Sequence, residues 1–80
     1  MNFSEALEAI KQGKKVKRAI WGGYWFLSTT GKVFVRDENE LLPFNPMIVA
    51  CLKDNGGYVP ATPYQADLLA EDWEIVKEEN

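Results

Sequence analysis

Apolar positions fall into two periods along the 80-residue chain. Near the start Phe3, Ala6, Leu7 and Ile10 recur at the three-to-four spacing of one helical face, while Glu5, Glu8, Lys11 and Gln12 occupy the other. Asn2-Phe3-Ser4-Glu5 has the form of a capping box, and Gly13 is placed to end the helix in a left-handed conformation. A helix over 3–12 is therefore predicted. Beyond it the period shortens: Lys15 to Trp21, Tyr24 to Leu27 and Lys32 to Arg36 read as short strands, separated by turns at Gly22-Gly23 and Thr30-Gly31. Residues 37–46, with two prolines and three acids, read as a loop.

The second half carries further strand signals and a second helix start. Met47-Ile48-Val49-Ala50-Cys51-Leu52 is an unbroken apolar run rich in β-branched residues, the mark of a buried central strand. Asp54-Asn55-Gly56-Gly57 supplies a tight hairpin turn into Tyr58-Val59, and Pro60 ends that strand. Thr62-Pro63-Tyr64-Gln65 predicts the start of a second helix, with Thr62 as cap, Pro63 at the first helical position and Gln65 at the third. Trp73-Glu74-Ile75-Val76 alternates as an edge strand does. These elements predict an α+β fold: a small antiparallel β-sheet of about five strands with two short α-helices, in a single domain spanning 1–80.

Charge modifies this picture more by its distribution than by its sum of -3. Residues 1–36 carry seven Lys or Arg against two acids, and residues 37–80 carry two against ten, so the halves stand at +5 and -8. That asymmetry allows an anion site on the N-terminal half, or attraction between the halves within or between subunits. It argues against a nucleic-acid binder coated in positive charge. One cysteine, Cys51, excludes an intrachain disulfide, and Met1 to Glu5 lack the regions of a signal peptide, so a cytosolic protein is expected. No apolar run is long enough for a membrane helix.

The inventory of reactive groups points to binding rather than catalysis. There is no histidine, which removes the commonest general base and the commonest nitrogen ligand of zinc. No catalytic residue, metal site or cofactor is expected, and Cys51 inside the apolar run reads as a core residue. Asp67 and Glu71 lie one helical turn apart on the predicted second helix, a spacing more often seen in solvated acids than in an acid-base pair. The glycine pairs lack the context of a phosphate loop. More suggestive is the density of Trp21, Tyr24, Trp25 and Phe26 beside Lys17 and Arg18, where an outward ring can stack on a base while a cation meets phosphate. Alternation assigns about half of that cluster to the core.

Within Val59 to Val76 the fixed order Thr62-Pro63, Gln65, Asp67, Leu68-Leu69-Ala70 and Glu71-Asp72-Trp73 resembles the signature of the Thoeris anti-defence type-two family of phage proteins. The opening helix from Asn2 to Val16 and Trp21-Gly22-Gly23 are similar to that family as well. The resemblance implies a non-enzymatic sponge that binds cyclic nucleotide second messengers, notably cyclic ADP-ribose isomers made by TIR-domain enzymes, in the host bacterial cytoplasm. It also implies a homo-oligomer, commonly a tetramer, with pockets between subunits, some members taking cyclic oligonucleotides at another site. No membrane or nucleic-acid partner is expected. On this reading Trp21 and Tyr24 are stacking candidates, Arg18 a phosphate partner, and Thr62, Gln65 and Asp67 candidates for hydrogen bonds to ribose or base, Thr62 and Gln65 being shared with the predicted cap. Two departures stand out: Ala61, where family members often carry an aromatic, and Trp21-Gly22-Gly23-Tyr24, where they often have Trp-Asn-Gly-Lys. A binding module for protein or single-stranded nucleic acid, using the same basic and aromatic face, is the alternative.

Overall fold

A computed structural model describes residues 1–36 and 39–77. Helix α1, Phe3–Lys11, starts as the capping box requires: Glu5 N donates to Asn2 Oδ1 and Asn2 N donates to Glu5 Oε1, each at 2.9 Å. It ends in a Schellman motif, with Gly13 at φ +88° and the amides of Gly13 and Lys14 donating to Ile10 O and Ala9 O. The strands after it are β1 (Val16–Arg18), β2 (Tyr24–Ser28), β3 (Lys32–Val35), β4 (Glu40–Pro43), β5 (Met47–Cys51), β6 (Tyr58–Pro60) and β7 (Trp73–Ile75), with a four-residue helix α2 (Gln65–Leu68) before β7.

Five strands form an antiparallel sheet in the order β6-β5-β2-β1-β7, as expected for the α+β class. Strands β3 and β4 pair only with each other, in a separate ribbon inserted between β2 and β5. Residues 40–43 thus form a strand inside the segment read as a loop. Cross-strand partnership with Lys32 to Val35 outweighs the local preference of Glu40 and Pro43. Residues 44–46 are irregular as read, and 37–38 lie outside the described residues. Strand β5 enters its hairpin through Lys53 to Gly56, where Asp54 and Asn55 have φ of +56° and +60°, the pattern of a type I′ turn.

Register decides which side chains meet the helix. Val16, Trp25 and Ala50 face one another across β1, β2 and β5 and are buried under Ala6, Ala9 and Ile10 of α1, with Trp73 of β7 completing the core. Trp21, Trp25 and Trp73 form a triangle with ring centroids 5.1 to 5.3 Å apart, and Phe3 lies 5.4 Å from Trp73. The opposite face carries Tyr24, Phe26, Val49, Cys51 and Tyr58, none of them buried. Strand β5 is therefore interior to the sheet as expected, yet only its Ala50 is buried. No helix among the described residues is long and apolar enough to cross a membrane.

Candidate functional site

A pocket of about 420 Å³ opens at the end of the sheet where β2 begins and β5 ends. Its walls are the turn Trp21-Gly22-Gly23, Tyr24 and Trp25, the segment Ala50 to Lys53, and Thr62, Tyr64 and Asp67 ahead of and within α2. This volume is within the roughly 300 to 1,000 Å³ typical of small-molecule sites, and an aromatic wall with a few polar groups is their usual composition.

The approach to α2 differs from the sequence expectation, and the difference matters for the pocket. Ala61 N donates to Ile48 O at 3.0 Å, extending the β6 pairing by one residue, so the chain turns helical later and Tyr64 becomes the cap position. Asp67, at the third helical position, reaches back and accepts from Tyr64 N at 2.8 Å. The cap assigned to Thr62, Pro63 and Gln65 is thus made by Asp67. Thr62, without that duty, lines the pocket, whereas Gln65 is exposed and does not. Helix α2 also stops at Leu68, so Asp67 and Glu71 are not one helical turn apart.

Asp67 is 6% exposed and lies among strong partners. Its Oδ1 accepts from Arg18 Nη1 at 3.2 Å, and its backbone carbonyl accepts from Trp73 Nε1 at 2.9 Å. Arg18 Nε donates to Asp72 Oδ1 at 2.9 Å. The Arg18 guanidinium, read from sequence as a phosphate partner, is thus engaged by two carboxylates and is not part of the pocket wall. Its effect on the site runs through Asp67. Lys17 plays a comparable part in the turn, donating from Nζ to Trp21 O at 2.9 Å.

The Arg18 hydrogen bond holds the Asp72 carboxyl below the ordinary carboxylate range, against a smaller opposing effect of burial. A folded-state pKa below the unfolded value means this contribution to stability is complete above the unfolded value of about 4 and is lost as pH falls through the lower folded one. Stability curves of the wild type and Asp72→Asn, followed by circular dichroism, should run parallel from pH 7 to about pH 5 and converge below about pH 4. Parallel curves throughout would exclude a titrating pair.

Among the rings, Trp21 is half-buried, packing edge-on against Trp73 at 82° while still lining the pocket. Tyr24 has the Lys15 ammonium 5.0 Å from its ring centroid. A hydrogen bond with Cys51, together with burial, pushes the Tyr24 phenol up to about 12, so it is a neutral donor at physiological pH. Cys51 is half-buried beside it on the pocket wall instead of in the core, because the β5 face it occupies has no covering layer. The fold therefore brings together Trp21, Tyr24, Thr62 and Asp67 of the expected residues, and leaves out Arg18 and Gln65. It adds Tyr64, 75% exposed, and Lys53. Lys53 lies between the apolar run ending at Leu52 and the Asp54-Asn55 turn, with no local signal of a site, and the β2–β5 register is what puts it beside Gly22.

Residues 1–76 match the sequence model of a family described as the Thoeris anti-defense 2-like domain. The chain is also 38% identical over 86 residues to a protein of Bacillus phage SP01 named Thoeris anti-defense 2, an alignment covering 95% of this chain and 94% of that one.

Proposed function

The chain belongs to the Thoeris anti-defense 2-like family, and on that premise we propose that it is a phage anti-defence protein that sequesters a cyclic nucleotide immune signal without cleaving it. It acts in the cytoplasm of the infected bacterium, on cyclic ADP-ribose isomers in the first instance. The observation that carries this reading is the aromatic pocket at the β2–β5 end of the sheet, of a size for one small ligand. Trp21, Tyr24 and the exposed Tyr64 offer flat surfaces to a purine, and the Thr62 hydroxyl and the Tyr24 phenol offer hydrogen bonds to ribose. Asp67 fixes the segment that bears Tyr64, and Arg18 fixes Asp67.

Sequestration needs affinity rather than turnover. Holding a nanomolar signal takes a dissociation constant of nanomolar order, about -12 kcal/mol. An open pocket in one subunit is a weak container for such a ligand, and a second copy of the chain closing over it supplies the missing enclosure. Self-association, up to a tetramer, is supported by the uncovered sheet face, where Tyr58 is 66% exposed and a second, apolar cleft of about 510 Å³ runs between Phe26, Phe44 and Tyr58.

Native mass spectrometry after incubation with cyclic ADP-ribose isomers tests both parts. An oligomer carrying intact ligand mass, with the same compound recovered after heat denaturation, is the expected result. A hydrolysed product would make the protein an enzyme, and absence of any bound isomer would remove the sponge reading.

A further inference from the structure

Two charged side chains line the pocket, Asp67 and Lys53, and they differ in what they have left to offer. Asp67 is nearly sealed from solvent, with one carboxylate oxygen accepting from Arg18 and the other from Tyr64 N. Lys53 is exposed, and its ammonium has no hydrogen bond or ion pair with any described residue. The charge available to a ligand is therefore positive, and it sits at the β5 end of the pocket.

The glycine pair explains how Lys53 comes to be there. Neither Gly22 nor Gly23 has a positive φ, so the turn does not require glycine for its backbone conformation. It requires the space. A Cβ on Gly23 would lie 2.2 Å from the Cys51 carbonyl oxygen, and a Cβ on Gly22 would lie 3.0 Å from both Cβ and Cδ of Lys53. The missing side chains let the end of β5 close against the turn, with the lysine stem laid along Gly22.

We propose that Lys53, seated on the Gly22-Gly23 turn, is the anion contact of this pocket, and that the ligand presents a phosphate or pyrophosphate group there. This rests on the reading of the pocket as a nucleotide site, and it deepens that reading by fixing the ligand's polarity: phosphate toward Lys53 and the turn, purine toward Tyr64 at the α2 side. A lysine serves this purpose as a point charge with three donors, at a pocket rim where its loss leaves the core untouched.

The test titrates sodium pyrophosphate into wild type, Lys53→Met, Lys53→Arg and Gly22→Ala, reading amide resonances by two-dimensional NMR, with cyclic ADP-ribose titrated in parallel. Expected in the wild type are shifts centred on residues 22, 23 and 53. Lys53→Met should weaken both ligands about tenfold or more with the rest of its spectrum unchanged, and Lys53→Arg should restore most of the affinity. Gly22→Ala should weaken pyrophosphate by displacing the lysine stem. Equal pyrophosphate affinity in wild type and Lys53→Met, shifts centred elsewhere, or no pyrophosphate binding in the wild type would overturn the assignment. The two readings fail separately. If cyclic ADP-ribose binds wild type and Lys53→Met alike, the Lys53 contact is wrong and the sponge stands. If pyrophosphate depends on Lys53 while cyclic ADP-ribose never binds, the anion site stands and the cyclic nucleotide is wrong.

Discussion

Trp73→Ala is expected to cost about 3 to 5 kcal/mol of folding stability, the range for deleting a buried indole with incomplete collapse of the cavity. For 80 residues total stability is on the order of 4 to 12 kcal/mol, so the variant is expected to be largely or partly unfolded at 37 °C. The reason is position as much as size. Trp73 is 2% exposed, contacts Phe3, Trp21 and Trp25 through its ring, and spends its Nε1–H on the carbonyl of Asp67. One side chain thereby joins the opening helix, the edge strand β7 and the pocket wall. Thermal denaturation followed by circular dichroism should place the midpoint more than about 12 °C below wild type. Trp73→Phe keeps most of the volume but leaves the Asp67 carbonyl without its indole donor, and should fall between the two. A Trp73→Ala midpoint within a few degrees of wild type would mean that the three tryptophans do not form the centre of the core.

Asp67→Ala is expected to be more damaging to ligand capture than to folding. The amide of Tyr64 loses its acceptor, a cap worth about 1 kcal/mol, and the Arg18 guanidinium keeps Asp72 alone. The segment from Thr62 to Tyr64, which contributes to one wall of the pocket, should lose order as a result. Affinity for cyclic ADP-ribose should fall about tenfold or more, measured by calorimetry, while the protein remains folded at 25 °C. Asp67→Asn retains an acceptor for Tyr64 N but not the charge opposite Arg18, so its affinity separates the two contributions. Unchanged affinity in Asp67→Ala would show that this wall is not part of the binding surface.

These two residues also mark what sequence could and could not disclose. Helix α1 was legible to within one residue, because its signals, the Asn2–Glu5 box and Gly13, act within a few positions of the chain. The same holds for the Asp54-Asn55 turn and for β7. Strand β4 was not legible, since Glu40 and Pro43 are poor strand formers whose place in a strand depends on pairing with Val35 and Lys32 across the ribbon. The start of α2 was displaced for a related reason: the bond from Ala61 to Ile48 is a tertiary fact that no local pattern encodes, and it transferred the cap from Thr62 to Asp67. At the site, the aromatic residues were found by density, but the cations were exchanged. Arg18 lies close to Trp21 in sequence and is drawn to Asp67 and Asp72, some fifty positions on, whereas Lys53 arrives beside Gly22 only through the β2–β5 register. The Asp67 pattern held a usable clue, an acid three positions after an aromatic and directly on the path back to its amide.

The outermost strands carry a consequence for how copies of the chain can meet. Both β6 and β7 are three residues long, and β6 ends in Pro60, which has no amide hydrogen to donate. Such stubs are poor templates for a further strand, so growth by ladder extension into open-ended filaments is disfavoured at both borders of the sheet. Within this sheet the bare face of Phe26 and Tyr58 is the surface that a second copy can cover without extending a ladder. A second copy laid on that face would close the contact on itself instead of continuing the sheet.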